Sequence, residues 1–284
     1  SADITPEDYA KREDFRDVVT FTIDPKVPQK TILFAGVTFM GESAKILNPD
    51  KTVVMADECA DCPMAHMITA DRIAEVREEY EDLAVVCYVN STAEIKAVSD
   101  VCVTSSNAVK VVSNIPQKNI FFVPDNNLGR YVAEKLPEKH FIFHDGFCHV
   151  HKSIHAAELQ AAKDACPDAL VLTHPECTED VVAMSDFVGS TSEIIDFATQ
   201  SDCKKFIICT EMGVFFELQQ KNPDKKFYSV GHRQFCPNMK KVTIDKVEQV
   251  LEKLGSGELE EITLSDEILT RAAKPLQRML ELAK

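Results

Sequence analysis

The sequence lacks an excess of basic residues, a long apolar run and a second Cys-x-x-Cys pair. Its 31 lysine and arginine residues stand against 46 aspartate and glutamate residues, a formal net charge of −15 at pH 7. This balance argues against binding a phosphate backbone as the main task. No stretch approaches the roughly 18 apolar residues that a membrane helix needs, and the N-terminus has no signal-peptide pattern. We therefore expect neither a nucleic acid nor a membrane as a partner.

Ten cysteines occur in the 284 residues, and several lie in apolar, strand-like stretches, for example Cys87, Cys102 and Cys209. A secreted disulfide framework is typical of much shorter chains. The better interpretation is a cytoplasmic protein whose thiols stay reduced. Such thiols are free to bind a metal.

Three cysteines follow strand ends of one kind. Phe141–His151, FIFHDGFCHVH, has the pattern of a short strand and a turn that presents Cys148 among histidines. Similar strand ends, TVVMAD and KFYSVGH, lead to Cys62 and Cys236. The gaps between the three cysteines are 86 and 88 residues. We interpret each cysteine as closing one copy of a repeated unit.

The sequence itself supports this repeat. VVCYVNSTAEIKAVSD at residues 85–100 lies 86 residues before VLTHPECTEDVVAMSD at residues 171–186. Both have the pattern of a strand, a polar turn and a helix. Four pairs hold the same phase: Ser99 and Ser185, Asp100 and Asp186, Ser105 and Thr191, and Asp125 and Glu211. Strand–helix alternation of this kind predicts parallel sheets with right-handed crossovers, and a chain of this length has room for three small α/β domains around a shared centre.

The expected domains are residues 1–62 completed by 240–284, residues 63–150, and residues 151–239. The opening strand of the first unit would fall before Ser1, so we expect that unit to be missing or divergent in its first half. DYAKREDFRDVVTFTID predicts a short helix and a strand. The C-terminal stretch predicts a helix capped by Ser265, kinked or restarted at Pro275, and packed onto the first domain.

The cysteines carry the first candidate chemistry. Cys59-x-x-Cys62 alone could be half a zinc site or a redox pair. The alternative is that Cys59 is only a sequence neighbour of Cys62 with no role of its own. Cys62, Cys148 and Cys236 share one place in the repeat, so their loops are expected to converge. Three thiolates suit an iron–sulfur cluster in which one iron has no protein ligand and acts as a Lewis acid. A chance coincidence of phase among ten cysteines is the alternative.

Hydroxyl and amide side chains stand where predicted strands pass into helices: Ser105, Asn107, Ser190 and Thr191. Free N–H groups at such helix starts bind anions. Ordinary N-capping is the competing interpretation for any single residue. Because Ser105 and Thr191 are in register, we favour anion binding for this pair. Lys240 is interpreted either as part of the cluster surroundings, with Asn238 and Met239, or as a solvated charge.

Several motifs, in this order along the chain, resemble those of the quinolinate synthase family. They are CPMAHM at Cys62, YVNSTAE at Tyr88, VTSSNAV at Val103, PDNNLGRYVA at Pro124, GFCHVH at Gly146, HPEC at His174, VGSTSEI at Val188 and CPNMKK at Cys236. The resemblance covers roughly residues 30–284. It implies three α/β/α domains in pseudo-threefold array around a 4Fe-4S cluster held by Cys62, Cys148 and Cys236.

The resemblance also implies the reaction. The family condenses iminoaspartate with dihydroxyacetone phosphate, releasing phosphate and water, to form quinolinate for NAD biosynthesis. L-aspartate oxidase or aspartate dehydrogenase would supply the imine. His174 and Glu176 resemble an active-site pair that moves protons, whereas Cys177 resembles no ligand.

Tyr88 and Asn90 hold the repeat phase of His174 and Glu176, so two domains present polar pairs from the same strand end. Tyr88 is expected to supply a phenolic proton or hydrogen bond in catalysis. Asn90, Ser105, Ser190 and Thr191 are expected to bind substrate.

The sequence departs from the family pattern in the first domain, where neither its His-x-Tyr turn nor its Gly-Asp-Ser occurs. These residues contribute to substrate binding in the family. Two further hypotheses therefore stand beside the enzyme. One is a non-catalytic paralogue that keeps the cluster as a redox or metabolite sensor. The other is a zinc protein that uses Cys59, Cys62 and another pair.

Overall fold

The computed structural model describes residues 20–21, 31–231, 233–254 and 256–284, and these residues form three separate sheets in an α/β architecture. The strand order is β1-β2-β3 in the first sheet, β5-β4-β6-β7 in the second and β9-β8-β10-β11 in the third. Every pairing is parallel except the antiparallel pair β1–β2. The predicted α/β class with parallel sheets is confirmed.

The strands are β1 Thr20–Phe21, β2 Thr31–Phe34, β3 Thr52–Met55, β4 Leu83–Tyr88, β5 Val101–Val103, β6 Asn119–Val123, β7 His140–Phe143, β8 Leu170–Thr173, β9 Phe187–Val188, β10 Lys205–Cys209 and β11 Lys226–Ser229. The helices are α1 Thr38–Leu47, α2 Ala70–Glu79, α3 Ala93–Ala97, α4 Ala108–Ser113, α5 Asn126–Lys135, α6 His149–Lys152, α7 Ala156–Ala165, α8 Glu179–Val182, α9 Thr191–Gln200, α10 Val214–Lys221, α11 Ile244–Glu252 and α12 Asp266–Leu282. Short 3-10 helices cover Pro63–His66 and Met239–Lys241.

The central strands are continuous apolar runs because helices cover both faces of each parallel sheet. In β4, LAVVCY, five of the six residues are buried, and β10, KFIIC, is buried over its last four. Helices begin at side chains that accept a backbone N–H, including Thr69, Asp125 and Thr243. This chemistry satisfies N–H groups that have no partner within the helix.

The second and third sheets repeat each other in detail. Asp100 and Asp186 accept the backbone N–H of Val85 and Val171, each at 2.7 Å. The hydroxyls of the residues before them, Ser99 and Ser185, each donate to the carbonyl four residues earlier, at 2.7 and 2.8 Å. These contacts give a physical reason for the Ser-Asp pairs that the sequence keeps in phase.

The segment after Cys236 returns to the first sheet. Ile262 N–H donates to Val53 O at 2.8 Å, and Lys246 of α11 forms an ion pair with Asp57 just beyond β3. Ser265 caps α12 as predicted, accepting Ile268 N–H at 3.3 Å. The helix continues through Pro275 rather than restarting there.

The C-terminal helix α12 packs on two units. It contacts α1 of the first, while its buried residues Ala272, Leu276 and Met279 join the core of the second, against α3 and β5. The short strand β1 lies within DYAKREDFRDVVTFTID, where a short helix and a strand were predicted. The helix predicted before it lies outside the described residues. None of the described helices is both long and apolar enough to cross a bilayer.

Candidate active site

The candidate site lies at the carboxyl ends of three central strands. Tyr88 is the last residue of β4, His174 directly follows β8, and Thr210 directly follows β10. Parallel strands bring their carboxyl ends to one edge, where polar side chains can converge. The strands come from the second and third sheets, so the site is shared between two units.

Glu176 is at the centre of this site and is 3% exposed. Its Oε1 accepts the Tyr88 hydroxyl at 2.6 Å, and its Oε2 lies 2.9 Å from His151 Nδ1. The backbone carbonyl of Glu176 accepts the Asn127 amide at 3.1 Å. The hydrogen bonds from Tyr88 and Asn127, both in the second unit, hold the side chain and the backbone of Glu176, a residue of the third unit, in place.

The electrostatic interaction with His151 and the hydrogen bonds from His151 and Tyr88 favour the ionised form of Glu176 and so lower its pKa. Burial raises the pKa of this carboxyl, but His151, His174 and the Tyr88 hydroxyl outweigh burial and lower the pKa to about 2. Burial and the Glu176 charge both raise the pKa of Tyr88 well above its usual value. The phenol therefore stays protonated and donates to the carboxylate.

His174 is neutral and stacks on His151 with ring centroids 4.6 Å apart. Burial lowers the pKa of His174 to about 3, despite the opposing Glu176 charge. Its Nδ1 accepts the backbone N–H of Glu176 at 3.3 Å. Because a neutral imidazole carries one proton, that proton lies on Nε2, which is a donor.

Sequence reasoning did not assign His151 to the site. It noted His144, His149 and His151 around Cys148, but the spacing did not decide among them. In the structure, His151 is buried on α6, where it bridges Glu176 and Thr210, with Nε2 2.9 Å from Thr210 Oγ1. His144 instead faces the Met67 carbonyl at 2.7 Å.

The three predicted cluster ligands, Cys62, Cys148 and Cys236, are free, half-buried thiols. Each stands at the start of a short helical turn or just before one. Burial raises the pKa of Cys62 to about 12, with further contributions from Glu176 and Cys236. Burial likewise raises the pKa of Cys148, with contributions from Glu176 and Cys62.

A carboxylate holds the backbone of each of these cysteines. Asp125 accepts Cys148 N–H and Glu211 accepts Cys236 N–H, both at 3.1 Å. Asp61 accepts Cys62 N–H at 2.7 Å. The first two carboxylates are the repeat pair identified in the sequence. Their shared role is to fix the loops that carry the thiols.

The turn before Cys148 depends on Gly146. A side-chain Cβ at this position would meet the Pro124 carbonyl oxygen at 2.3 Å, which is closer than any real contact. The glycine lets the β7 turn approach the start of α5, where Asn126 N–H donates to Gly146 O at 2.8 Å.

Ser190 has a defined structural role. Its hydroxyl accepts Glu193 N–H, while the Glu193 carboxylate accepts Ser190 N–H at 2.7 Å, which makes a capping box at the start of α9. The Ser-x-x-Glu spacing is a readable signal of this box. In contrast, Ser105 and Thr191 are half-buried and their hydroxyls have no hydrogen bond to the part of the chain that the structure describes. Asn90 is half-buried two residues beyond Tyr88.

Ser190→Ala is expected to lower the free energy of unfolding by roughly 0.5–2 kcal/mol, the range for losing an N-cap. Thr191→Val, at the next residue, removes no cap and serves as the control. Urea unfolding followed by circular dichroism measures both. Equal stability of the two variants would contradict the capping role of Ser190.

Two cysteines predicted to lie outside the cluster have other surroundings. Cys177 is buried beneath β8 and β10, and its Sγ lies 3.3 Å from the Cys209 carbonyl. Cys59 is exposed, and its carbonyl accepts Lys241 Nζ at 2.7 Å. Lys240 is ion-paired with Glu211 at 3.2 Å, beside Cys236, and is therefore not a free surface charge.

Comparison with known proteins gives one family throughout. A family described as "Quinolinate synthetase A protein" matches residues 23–281. A quinolinate synthase of Fusobacterium nucleatum subsp. nucleatum is 51% identical over 258 residues, which cover 91% of this chain and 85% of the relative. One from Caldicellulosiruptor saccharolyticus is 48% identical, covering 90% and 83%. One from Aquifex aeolicus is 40% identical, covering 97% and 88%.

Proposed function

The chain belongs to the quinolinate synthetase A family, and from this premise we propose that it is a quinolinate synthase. It condenses iminoaspartate with dihydroxyacetone phosphate to give quinolinate, phosphate and water. The observation that carries this proposal is the buried Glu176 carboxylate, in contact with Tyr88 and His151 and close to the Cys148 thiol. An ionised base, a phenol donor and a neutral imidazole donor beside candidate metal ligands suit a condensation that moves several protons.

The residues present fit a 4Fe-4S cluster. Cys62, Cys148 and Cys236 offer three thiols from three separate loops, each with its backbone held by a carboxylate. Cysteine thiolates are the usual ligands of such clusters. When bound, a cluster with three protein ligands supplies an open iron that acts as a Lewis acid toward a substrate oxygen or nitrogen.

The proton-handling roles follow from the hydrogen bonds. Glu176 accepts a proton from the condensing substrates, since its carboxylate is ionised. Each hydrogen bond from Tyr88 or His151 that substrate replaces raises the pKa of this carboxylate toward the working pH, which makes it a better base. His174 donates from Nε2, and Tyr88 donates its phenolic hydrogen bond to a developing oxyanion.

Thr210 positions His151 in this scheme. Thr210 is buried and its hydroxyl lies 2.9 Å from His151 Nε2, so it fixes the ring that faces Glu176. Thr210→Val keeps the shape but leaves Nε2 without a partner, and turnover is expected to fall roughly tenfold or more, the scale for losing an orienting hydrogen bond of about 1.5 kcal/mol.

Thr210→Ser is the matched control, because it restores the hydroxyl and is expected to recover turnover with an unchanged Michaelis constant. Steady-state quinolinate formation measures all three proteins. Equal turnover of Thr210→Val and Thr210→Ser would remove Thr210 from the mechanism.

Ser105 and Thr191 bind the anionic groups of the substrates, namely carboxylates and a phosphate. Both lie where a strand passes into a helix, and neither hydroxyl makes a hydrogen bond to the described residues. Ser105→Ala and Thr191→Val are expected to weaken substrate or product binding by roughly 1–3 kcal/mol each, the scale for a hydrogen bond to a charged group. Calorimetric titration with quinolinate tests this, and normal affinity in both variants would contradict it.

The proposed activity is tested by an anaerobic assay. The iron-loaded chain receives iminoaspartate, generated from aspartate by an added oxidase or dehydrogenase, and dihydroxyacetone phosphate. Quinolinate and phosphate are expected in equal amounts. A brown, iron-loaded chain that yields no quinolinate would contradict the enzyme and favour the sensor.

A further inference from the structure

Cys148, His151 and Glu176 form a second kind of metal-ligand group within the site. One donor atom from each lies within 4.8 Å of the other two. Among the described residues, this is the only group of three or more histidine, cysteine and acidic side chains whose donor atoms lie this close together. Cys148 is the only one of the three that belongs to the thiols assigned to the cluster.

The donor set suits a single zinc ion. Thiolate, imidazole and carboxylate are the three zinc ligands of proteins, with bonds of about 2.3, 2.0 and 2.1 Å. A tetrahedral ion with such bonds spaces its donors roughly 3.3–3.7 Å apart. His151 Nδ1 and Glu176 Oε2, now 2.9 Å apart, need to open slightly, and the Cys148 sulfur lies within 4.8 Å of a donor atom of each. Three protein ligands leave a fourth position for water, as in catalytic rather than structural zinc sites.

The surroundings also match those of a metal site. A metal-binding histidine uses one ring nitrogen for the ion and the other for a hydrogen bond that fixes the ring. His151 presents Nδ1 toward Glu176 and holds Nε2 against Thr210 at 2.9 Å. Glu176, the carboxylate ligand, is oriented by the Tyr88 hydroxyl.

Charge balance supports a divalent ion. Once the ion has displaced the Cys148 proton, its ligands are one thiolate, one neutral imidazole and one carboxylate. The two negative ligands cancel the charge of Zn²⁺. A site in which His151 and Glu176 are buried requires this, because an uncompensated charge is costly to bury.

We propose that the iron-free chain binds one Zn²⁺ through Cys148, His151 and Glu176, and that this ion excludes the cluster because both need Cys148. Zn²⁺ replaces the thiol proton of Cys148, which is released to solvent, and nothing is oxidised or reduced. Zinc exceeds iron(II) in affinity for a given set of such ligands. Zinc therefore competes with iron for the chain and blocks cluster assembly.

The test titrates the full chain, purified without iron, with Zn²⁺ in competition with a chromophoric chelator. We expect one tightly bound ion in the wild type. His151→Asn and Glu176→Gln each remove a ligand while keeping shape, and each is expected to weaken zinc binding at least about tenfold. Cys62→Ala is the matched control: it removes a cluster thiol outside the triad and is expected to keep wild-type zinc affinity.

Wild-type zinc affinity in both His151→Asn and Glu176→Gln would overturn the proposal. A loss in Cys62→Ala as large as that in Cys148→Ala would overturn it as well, since the ion would then be held by the cluster thiols. A second measurement needs no variant. Co²⁺ in the wild-type site should show the visible charge-transfer intensity of a single thiolate, and the intensity of two or three thiolates would contradict the assignment.

These outcomes are separate from those of the proposed function. Zinc affinity is measured without turnover, so the zinc proposal is tested whether or not the chain forms quinolinate. Cys62→Ala separates the two sites directly, because it is expected to lose the cluster and keep the zinc.

Discussion

Glu176→Gln is expected to lower turnover roughly 100- to 10,000-fold, the range for losing a general base. The change keeps the size of the side chain and its ability to accept the Tyr88 hydrogen bond, but an amide cannot take up a proton. Iron content is expected to stay at the wild-type value. Initial rates of quinolinate formation, with iron measured in the same sample, give the comparison.

Glu179→Gln is the control for this prediction. It makes the same chemical change three residues away, at an exposed position on α8, and is expected to keep wild-type turnover. Full turnover in Glu176→Gln would exclude the carboxylate as the base. A loss of iron in Glu176→Gln would instead show that Glu176 helps to hold the iron cluster.

Replacement of Cys62, Cys148 or Cys236 by alanine is expected to abolish both the cluster and the activity. A cluster held by three thiolates loses one of its three protein ligands with each replacement. Anaerobic reconstitution followed by iron analysis and visible absorbance measures the outcome.

Cys59→Ala and Cys177→Ala are the matched controls among the cysteines. Cys177 is buried with its thiol against the Cys209 carbonyl, and Cys59 is exposed beside Lys241. Both variants are expected to keep wild-type iron. Iron lost from Cys177→Ala but retained in Cys148→Ala would reverse the ligand assignment.

The repeat in the sequence predicted the frame of this site. Tyr88 and Glu176 occupy strand ends that hold nearly the same phase, and the structure joins them by a hydrogen bond of 2.6 Å. Asp125 and Glu211 also hold that phase, and each accepts the N–H of a predicted cluster ligand. Repeated units place equivalent residues at the equivalent edge of each sheet. The position of a residue within the repeat is therefore enough to predict at which edge it lies.

Residues outside the repeat pattern were harder to predict. His151 lies on a one-turn helix after Cys148, where three histidines stood within reach and only tertiary packing selects one. Thr210 follows β10 with no feature that separates it from any other threonine at a strand end. Both come into contact with Glu176 or its partner from distant parts of the chain, 25 residues away for His151 and Glu176.

Ser190 and Thr191 show how a local sequence signal distinguishes two similar residues. Ser190 and Thr191 are adjacent and both were expected to bind substrate. The glutamate three residues after Ser190 makes that serine a capping residue, whereas the Thr191 hydroxyl makes no hydrogen bond among the residues that the structure describes. The same local chemistry explains why the C-terminal helix begins directly after Ser265.

The central claim is that three thiolates leave one iron of a cluster open beside Glu176. The most direct test is the Mössbauer spectrum of the chain loaded with ⁵⁷Fe, recorded before and after quinolinate is added. We expect about four irons per chain and a change in the signal of one of them when the product binds. A spectrum that quinolinate leaves unchanged at saturating concentration would mean that every iron already has its full set of ligands, and it would contradict the account.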